Sequence, residues 1–303
     1  MLFSFSTVKI KIITDSTSNL TPELAEKYDV DIISAYAIIN EVEYLDDGST
    51  SAEKFYDLIA NSKSAKTSQP SPQNVLKVLE KNLDYDYLLM IHVSPLLSGT
   101  MNVVNSTVKQ FKRQIKKQNK KCPEITIFDS KGASYFLGAI VLKAVQLLKD
   151  GEDIDTIIEK ITHFRDNDVQ VFLMVTDLTH IFQSGRIGRI QYYLADFVHA
   201  YPILTLIDGA LKPIGNDIGV ERTCRKLLEE VWKCYEPEDE LTVWVAKTIP
   251  RAENDKFKKM IKETKNPKIK RMEQFFVGNA IACHTGITVM GLVTARNFDL
   301  DLL

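Results

Sequence analysis

Two short polar stretches carry the residues of this chain best suited to holding a small anion. They are Lys66-Thr67-Ser68-Gln69-Pro70-Ser71-Pro72 and Leu97-Ser98-Gly99-Thr100. The run 85–93 before Ser98 is mostly apolar and of buried-strand length, and the run after Thr100 has helical promise, so Ser98 or Thr100 is expected at a helix N-cap. A strand feeding a helix start leaves backbone N–H groups pointing outward at the carboxyl end of a sheet. Open α/β sheets bind ligands there, and a helix N-terminus favours an anion. A hydroxyl at that point can cap its own helix and also donate to a carboxylate or phosphate; plain capping is the alternative. Ser71 reads as an N-cap with Pro72 at the first helical position, which leaves Thr67 and Ser68 unexplained by capping. The prolines stiffen their loop, so Thr67 either meets a ligand with little entropy left to lose or belongs to a merely rigid loop.

Other chemistries fit less well. Ser98 as nucleophile with His284 as base would hydrolyse acyl esters, but Leu96-Leu97-Ser98-Gly99-Thr100 is not a Gly-x-Ser-x-Gly elbow and no acidic orienter is identifiable. Arg186 and Arg189 in Ser184-Gly185-Arg186-Ile187-Gly188-Arg189 read equally as surface or phosphate-binding arginines. A nucleotide binder would need a glycine-rich phosphate loop, and neither common spacing occurs. His92, His163, His180 and His199 read as structural.

The elements that must position these groups follow from hydrophobic period and punctuation. Segment 9–14 alternates polar and apolar and ends in Asp15-Ser16-Thr17-Ser18-Asn19, a strand followed by turn formers. Thr21-Pro22 starts a helix, 31–40 reads as one strand, 41–49 as a polar connection, and 51–60 as an amphipathic helix burying Phe55, Leu58 and Ile59. Strands are expected at 85–93 and 122–128, and helices at 73–81, 135–149 and 154–164. The basic run 109–121 places Phe111 and Ile115 four apart, one buried face on a solvated helix. This β-α-β-α order implies a mostly parallel sheet. After the break Asp166-Asn167-Asp168 the pattern restarts with strand 169–175, helix 190–200, strand 201–207 and a hairpin turn at Asp208-Gly209 into 210–214. A helix at 221–235, strand 241–247, helix 253–263 and strands 268–274 and 287–293 complete it, with 279–286 as a connection. Two α/β domains are expected, 9–167 and 168–303.

At 303 residues, 45% hydrophobic and 26% charged, the composition is that of a globular protein of two ordinary domains. A net charge of −2 argues against a general nucleic-acid binder. The four cysteines, Cys122, Cys224, Cys234 and Cys283, are scattered without metal spacing, which suggests free thiols in a reducing compartment. The opening MLFSFSTV lacks a basic region and a cleavage site, and no run is long enough to cross a membrane. A cytoplasmic location, without stable membrane insertion, is the expectation.

The ordered set TDSTSNL (14–20), KTSQPSP (66–72), LSGT (97–100), FDSKGAS (128–134), SGRIG (184–188) and HTG (284–286) resembles the DegV family of bacterial two-domain proteins. The resemblance spans residues 9–293. It implies the two-domain DegV-type α/β fold and a non-catalytic carrier with no cofactor and no metal. The carrier would bind a long-chain fatty acid, its tail buried by the C-terminal domain, and present the carboxylate to a separate ATP-dependent fatty acid kinase. Carried over by position, Thr67 and Ser98 would hydrogen-bond the carboxylate, His284 would complete the network and Arg186 would lie near the head group. Arg222 would face the kinase. Tail-lining positions are expected among Phe172, Phe197, Ile203, Leu206 and Met290. The chain departs from the family pattern at Pro95, where a second serine is usual, at Ser184 in place of glycine, and at Tyr201 in place of lysine. It departs again at Ile287, which replaces a turn proline.

Overall fold

The computed structural model describes residues 8–186, 200–247, 251–265 and 267–299. Phe197, Arg189, His199 and nearly all of the helix expected over 190–200 lie outside these residues.

The first half follows the punctuation of the sequence. Strand β1 (Ile10–Asp15) ends in a single 3₁₀ turn, Ser16–Ser18, before α1 (Pro22–Lys27) and β2 (Val30–Ile33). The chain then builds a small antiparallel sheet from β3 (Tyr36–Ile39), β4 (Val42–Leu45) and, after α2 (Ala52–Ala60), β5 (Ala65–Ser68). It returns through α3 (Pro72–Lys81), β6 (Tyr87–His92), α4 (Thr100–Lys117), β7 (Glu124–Asp129), α5 (Tyr135–Lys149) and α6 (Ile154–His163). Strands β2-β1-β6-β7 pair in that order, all parallel.

The small sheet is where the structure departs from the periodicity. The apolar run 31–40 holds two strands in two different sheets, and the polar connection 41–49 holds a third. The cause is a tight reversal at Asn40 and Glu41, both left-handed with φ of 47° and 70°. Glutamate is no turn former, so the hairpin leaves no Asn-Gly or Asp-Gly signature. Thr67 therefore sits in a strand rather than a loop, paired across from Ala37.

The second half is one mixed sheet. It contains β8 (Val169–Val175), β9 (Ala200–Ile207), β10 (Ala210–Ile218), β11 (Glu240–Lys247), β12 (Lys268–Phe276) and β13 (Val289–Ala295). Helices α7 (Thr179–Ser184), α8 (Val220–Trp232), α9 (Arg251–Lys262) and α10 (Asn279–Thr285) intervene. The order is β10-β9-β8-β13-β11-β12; β11 and β12 run parallel and the other neighbours antiparallel. Asp208 and Gly209 form the β9–β10 turn with φ of 49° and 81°, a type I′ signature. Segment 279–286, expected as a connection, is the short helix α10, bounded by Gly278 and Gly286.

The two sheets share one core. Helix α5 is apolar almost all round and is packed on both sides. One side meets Ile12, Leu89 and Ile91 of the parallel sheet, the other Val169, Trp244 and Val293 of the mixed sheet. Helices α3 and α4 cover the outer face of the parallel sheet, with Phe111 and Ile115 buried. Leu227 and Val231 of α8 and Phe257 and Ile261 of α9 cover the far face of the mixed sheet.

Candidate functional site

The carboxyl ends of β1 and β6, the inner face of the mixed sheet, β5 and α10 enclose a cavity of about 370 Å³. Its walls come from every layer. Thr17, Val93 and Ser98 belong to the parallel half, Thr67 to the small sheet, Val171, Leu173, Leu206 and Val293 to the mixed sheet, and Ala280, Ile281 and His284 to α10. Apolar side chains dominate, with Ala35, Ala133, Ala246 and Gly291 keeping the walls thin.

Four polar groups converge on this cavity. Thr67 alternates out of β5 so that its Oγ1 lies 2.7 Å from Nε2 of His284 on α10. Burial, then the nearby Arg186 guanidinium, lower His284 from 6.5 to about 4, so the imidazole is neutral at neutral pH. With the proton on Nε2, His284 donates to Thr67 and frees the Thr67 hydroxyl to donate into the cavity. Ser98 lies just before α4. Gly99 takes the N-cap position, and Ser98 Oγ accepts from Thr100 N at 3.3 Å and shares a 3.0 Å hydrogen bond with Thr100 Oγ1. Sequence placed a hydroxyl residue at the cap itself; the structure puts Gly99 there, with the Gln69 amide lying across it. Arg186, half-buried, donates from Nη1 to Ser184 O at 2.6 Å and from Nε to Leu97 O at 3.4 Å. Among the described residues it has no carboxylate partner, and burial lowers its pKa. The result is a neutral donor set beside an uncompensated cation, which suits a carboxylate or phosphoryl oxygen.

The other expected positions separate. Leu206 borders the cavity, whereas Phe172 touches its edge but joins the cluster beneath α8 and α9. Ile203 and Met290 do not border it: strand alternation turns both into the cluster beneath α8 and α9, on the far face of the sheet. Arg222 lies on α8, exposed, and pairs with Asp217 at 3.0 Å. Ile287 joins the apolar cluster around α2 and α10, and Gly286 turns the chain at φ 72° without a proline. Ser98 and His284 share no hydrogen bond, each being engaged elsewhere, so the nucleophile–base pair of an ester hydrolase is not assembled.

Sequence reasoning missed Thr17 and the group that fixes it. Asp15, fully buried, accepts from Thr17 N at 3.1 Å, from the Thr17 hydroxyl, from Val93 N at 3.0 Å and from His92 Nδ1 at 2.9 Å. This ties the ends of β1 and β6 together under the cavity. An Asp at a strand end followed by hydroxyl residues was the available signal. Among the described residues no group of three or more His, Cys, Asp or Glu forms a metal site, and no helix is long and apolar enough to cross a membrane.

Comparison with known proteins agrees with this architecture. A DegV domain-containing protein of Staphylococcus aureus is 28% identical over 286 residues, covering 94% of this chain and 98% of its own. A solved DegV family protein of Thermus thermophilus, described as fatty acid binding, superposes with a TM-score of 0.85 at 23% identity, covering 95% of this chain and 100% of its own. DegV of Bacillus subtilis, described as a fatty acid binding protein, gives 0.82 at 21% identity, covering 96% and 100%. The family model described as "Uncharacterised protein, DegV family" matches residues 9–297, and the chain belongs to the DegV family.

Proposed function

We propose that this protein binds a long-chain fatty acid, with the tail in the cavity between the two sheets and the carboxylate among Thr67, Ser98, His284 and Arg186. The observation that carries this reading is the coexistence, in one cavity, of an apolar wall and a guanidinium that has no carboxylate partner among the described residues, beside hydrogen-bond donors. The tail needs no specific partner, since each buried methylene contributes roughly 0.8 kcal/mol. A partly buried carboxylate does need partners, because its desolvation costs several kcal/mol unless hydrogen bonds replace the lost water. The solved relatives described as fatty acid binding support the same class of ligand.

The protein acts as a carrier rather than a catalyst: it holds the acid with its carboxylate near Arg186, and a separate ATP-dependent kinase phosphorylates it. Exposed Arg222 on α8 is the proposed contact with that kinase. The test is lipid extraction and mass analysis of the purified protein beside Thr67→Ala/Ser98→Ala. The wild type should carry a stoichiometric fatty acid, and the variant should bind added fatty acid at least about 100-fold more weakly, as expected for the loss of two hydrogen bonds to a charged group. An equal load in both would move the polar anchor elsewhere. An empty wild type that takes up no added fatty acid would end the reading.

A further inference from the structure

The carboxyl ends of β1 and β6 are joined by more than their ladder. The two strands pair in parallel from Ile10 and Tyr87 to Thr14 and Ile91, and the Thr14 hydroxyl adds a 2.8 Å hydrogen bond to Ile91 O. Asp15 acts beyond the last of these pairs. Its Oδ1 accepts from the backbone N–H of Thr17 at 3.1 Å and from the Thr17 hydroxyl. Its Oδ2 accepts from Val93 N at 3.0 Å and from His92 Nδ1 at 2.9 Å. Asp15 and His92 are both fully buried, and His92 Nε2 has no partner among the described residues, so the bond to Asp15 is what fixes the ring. From Val93 the hydrogen bonds continue toward the head-group site. The next residue, Ser94, donates from N to Gly132 O at 2.9 Å, and its carbonyl accepts from Leu97 N at 3.0 Å and Ser98 N at 3.1 Å. Its hydroxyl accepts from Leu96 N at 3.2 Å. Segment 93–98 is thus a closed corner with Asp15 at its root and Ser98 at its tip.

We infer that Asp15 is a positioning residue for the ligand's carboxylate: it fixes the root of the 93–98 loop and so the place of Ser98 in the cavity. The inference rests on the proposed function for its ligand, but its geometry does not. Strand pairing does not call for a carboxylate here, because the ladder and the Thr14 hydroxyl already hold β1 to β6. What a carboxylate adds is two oxygens, each able to take more than one hydrogen bond. One is given to Thr17 and the other to Val93. Both residues lie past the ends of the paired strands, and both line the cavity. A carboxylate is costly to bury unless hydrogen bonds replace its water, and four do so here. An asparagine would offer one acceptor oxygen to the two backbone N–H groups, so either the 3₁₀ turn or the 93–98 loop would lose its anchor.

The experiment compares wild type, Asp15→Asn and Thr14→Val as ligand-free full chains by amide hydrogen exchange, and then measures binding of oleate and of methyl oleate to each. Thr14→Val removes a bond between the same two strands that leads into no loop, and it is the control for a merely structural tie. Exchange at Leu97 and Ser98, whose N–H groups close the loop onto Ser94, should rise about tenfold in Asp15→Asn and stay at the wild-type level in Thr14→Val. Oleate affinity should fall roughly tenfold in Asp15→Asn, as for a misaligned hydrogen bond to a charged group. Methyl oleate carries no charge for Ser98 to meet, and should bind Asp15→Asn as it binds wild type. His92→Leu removes one donor and keeps the carboxylate; it should show the same pattern at smaller amplitude and serves if Asp15→Asn does not fold. Equal losses for both ligands, or wild-type oleate affinity in Asp15→Asn, would overturn the inference and leave the carrier reading standing. Faster exchange at Leu97 and Ser98 in Asp15→Asn alone, with no oleate bound by any form, would support the anchoring of Ser98 and remove the fatty acid as ligand.

Discussion

His284 shows how a common residue becomes useful through its surroundings. In water an imidazole is partly charged near neutrality; here burial and the Arg186 guanidinium hold its proton off down to about 4. The unfolded chain therefore binds this proton more tightly than the folded protein between about 4 and 6.5. The stability contributed by a neutral His284 is complete above 6.5 and is lost as pH falls toward 4. His284→Gln should flatten that part of the thermal-stability profile on the acid side. Fatty acid bound with its carboxylate beside the ring should raise the His284 midpoint, because an anion favours the imidazolium. An unshifted midpoint in the loaded protein would place the carboxylate away from the ring.

Helix α5 decides how closely the elements of the site can meet. Its Gly138 faces the 3₁₀ turn that carries Thr17, and a Cβ there would lie 2.5 Å from Ser18 O, a backbone atom. Glycine inside a helix costs about 1 kcal/mol relative to alanine, so its presence one turn into α5 needs a reason, and this contact supplies one. Gly138→Ala would improve the helix and overpack the turn. Overpacking costs typically 1–3 kcal/mol, so a net loss of up to about 2 kcal/mol is expected, read as a lower urea midpoint. A stabilised variant would show that the turn yields and that the contact does not hold Thr17 in place.

The cavity belongs to the whole molecule, because its walls come from both main sheets, the small sheet and α10. The same surfaces meet elsewhere through tight contacts, such as Gly209 of the β9–β10 turn against Ser94 after β6, where an added Cβ would lie 2.6 Å from the hydroxyl. A ligand in such a cavity stabilises the assembly of layers as well as occupying it. Delipidated protein should melt at a lower temperature than loaded protein, and added fatty acid at a hundred times its dissociation constant should restore about 2.7 kcal/mol of stability. Differential scanning calorimetry with and without fatty acid reads this directly, and identical melting would mean that the cavity stays empty.

Much of this protein was legible before any coordinates. The parallel strands, the buried face of α4 at Phe111 and Ile115, the Thr21 and Ser71 caps and the Asp208-Gly209 hairpin all follow from local period and turn chemistry. Thr67 stood out because capping did not explain it and Ser98 because it precedes a helix start, whereas Arg186 and His284 were picked out by the resemblance to the DegV family. Tertiary structure decided the rest. Thr67 and His284 are 217 positions apart and meet because α10, from the second half, packs on the small sheet of the first, a relation that no local pattern encodes. The small sheet was hidden because Asn40-Glu41 turns left-handed without glycine. Which apolar residues line the cavity and which fill the far core depends on the face each strand presents, so Leu206 borders it while Ile203 and Met290 do not. Asp46 looked like a residue of a solvated loop, and only the tertiary packing buried it.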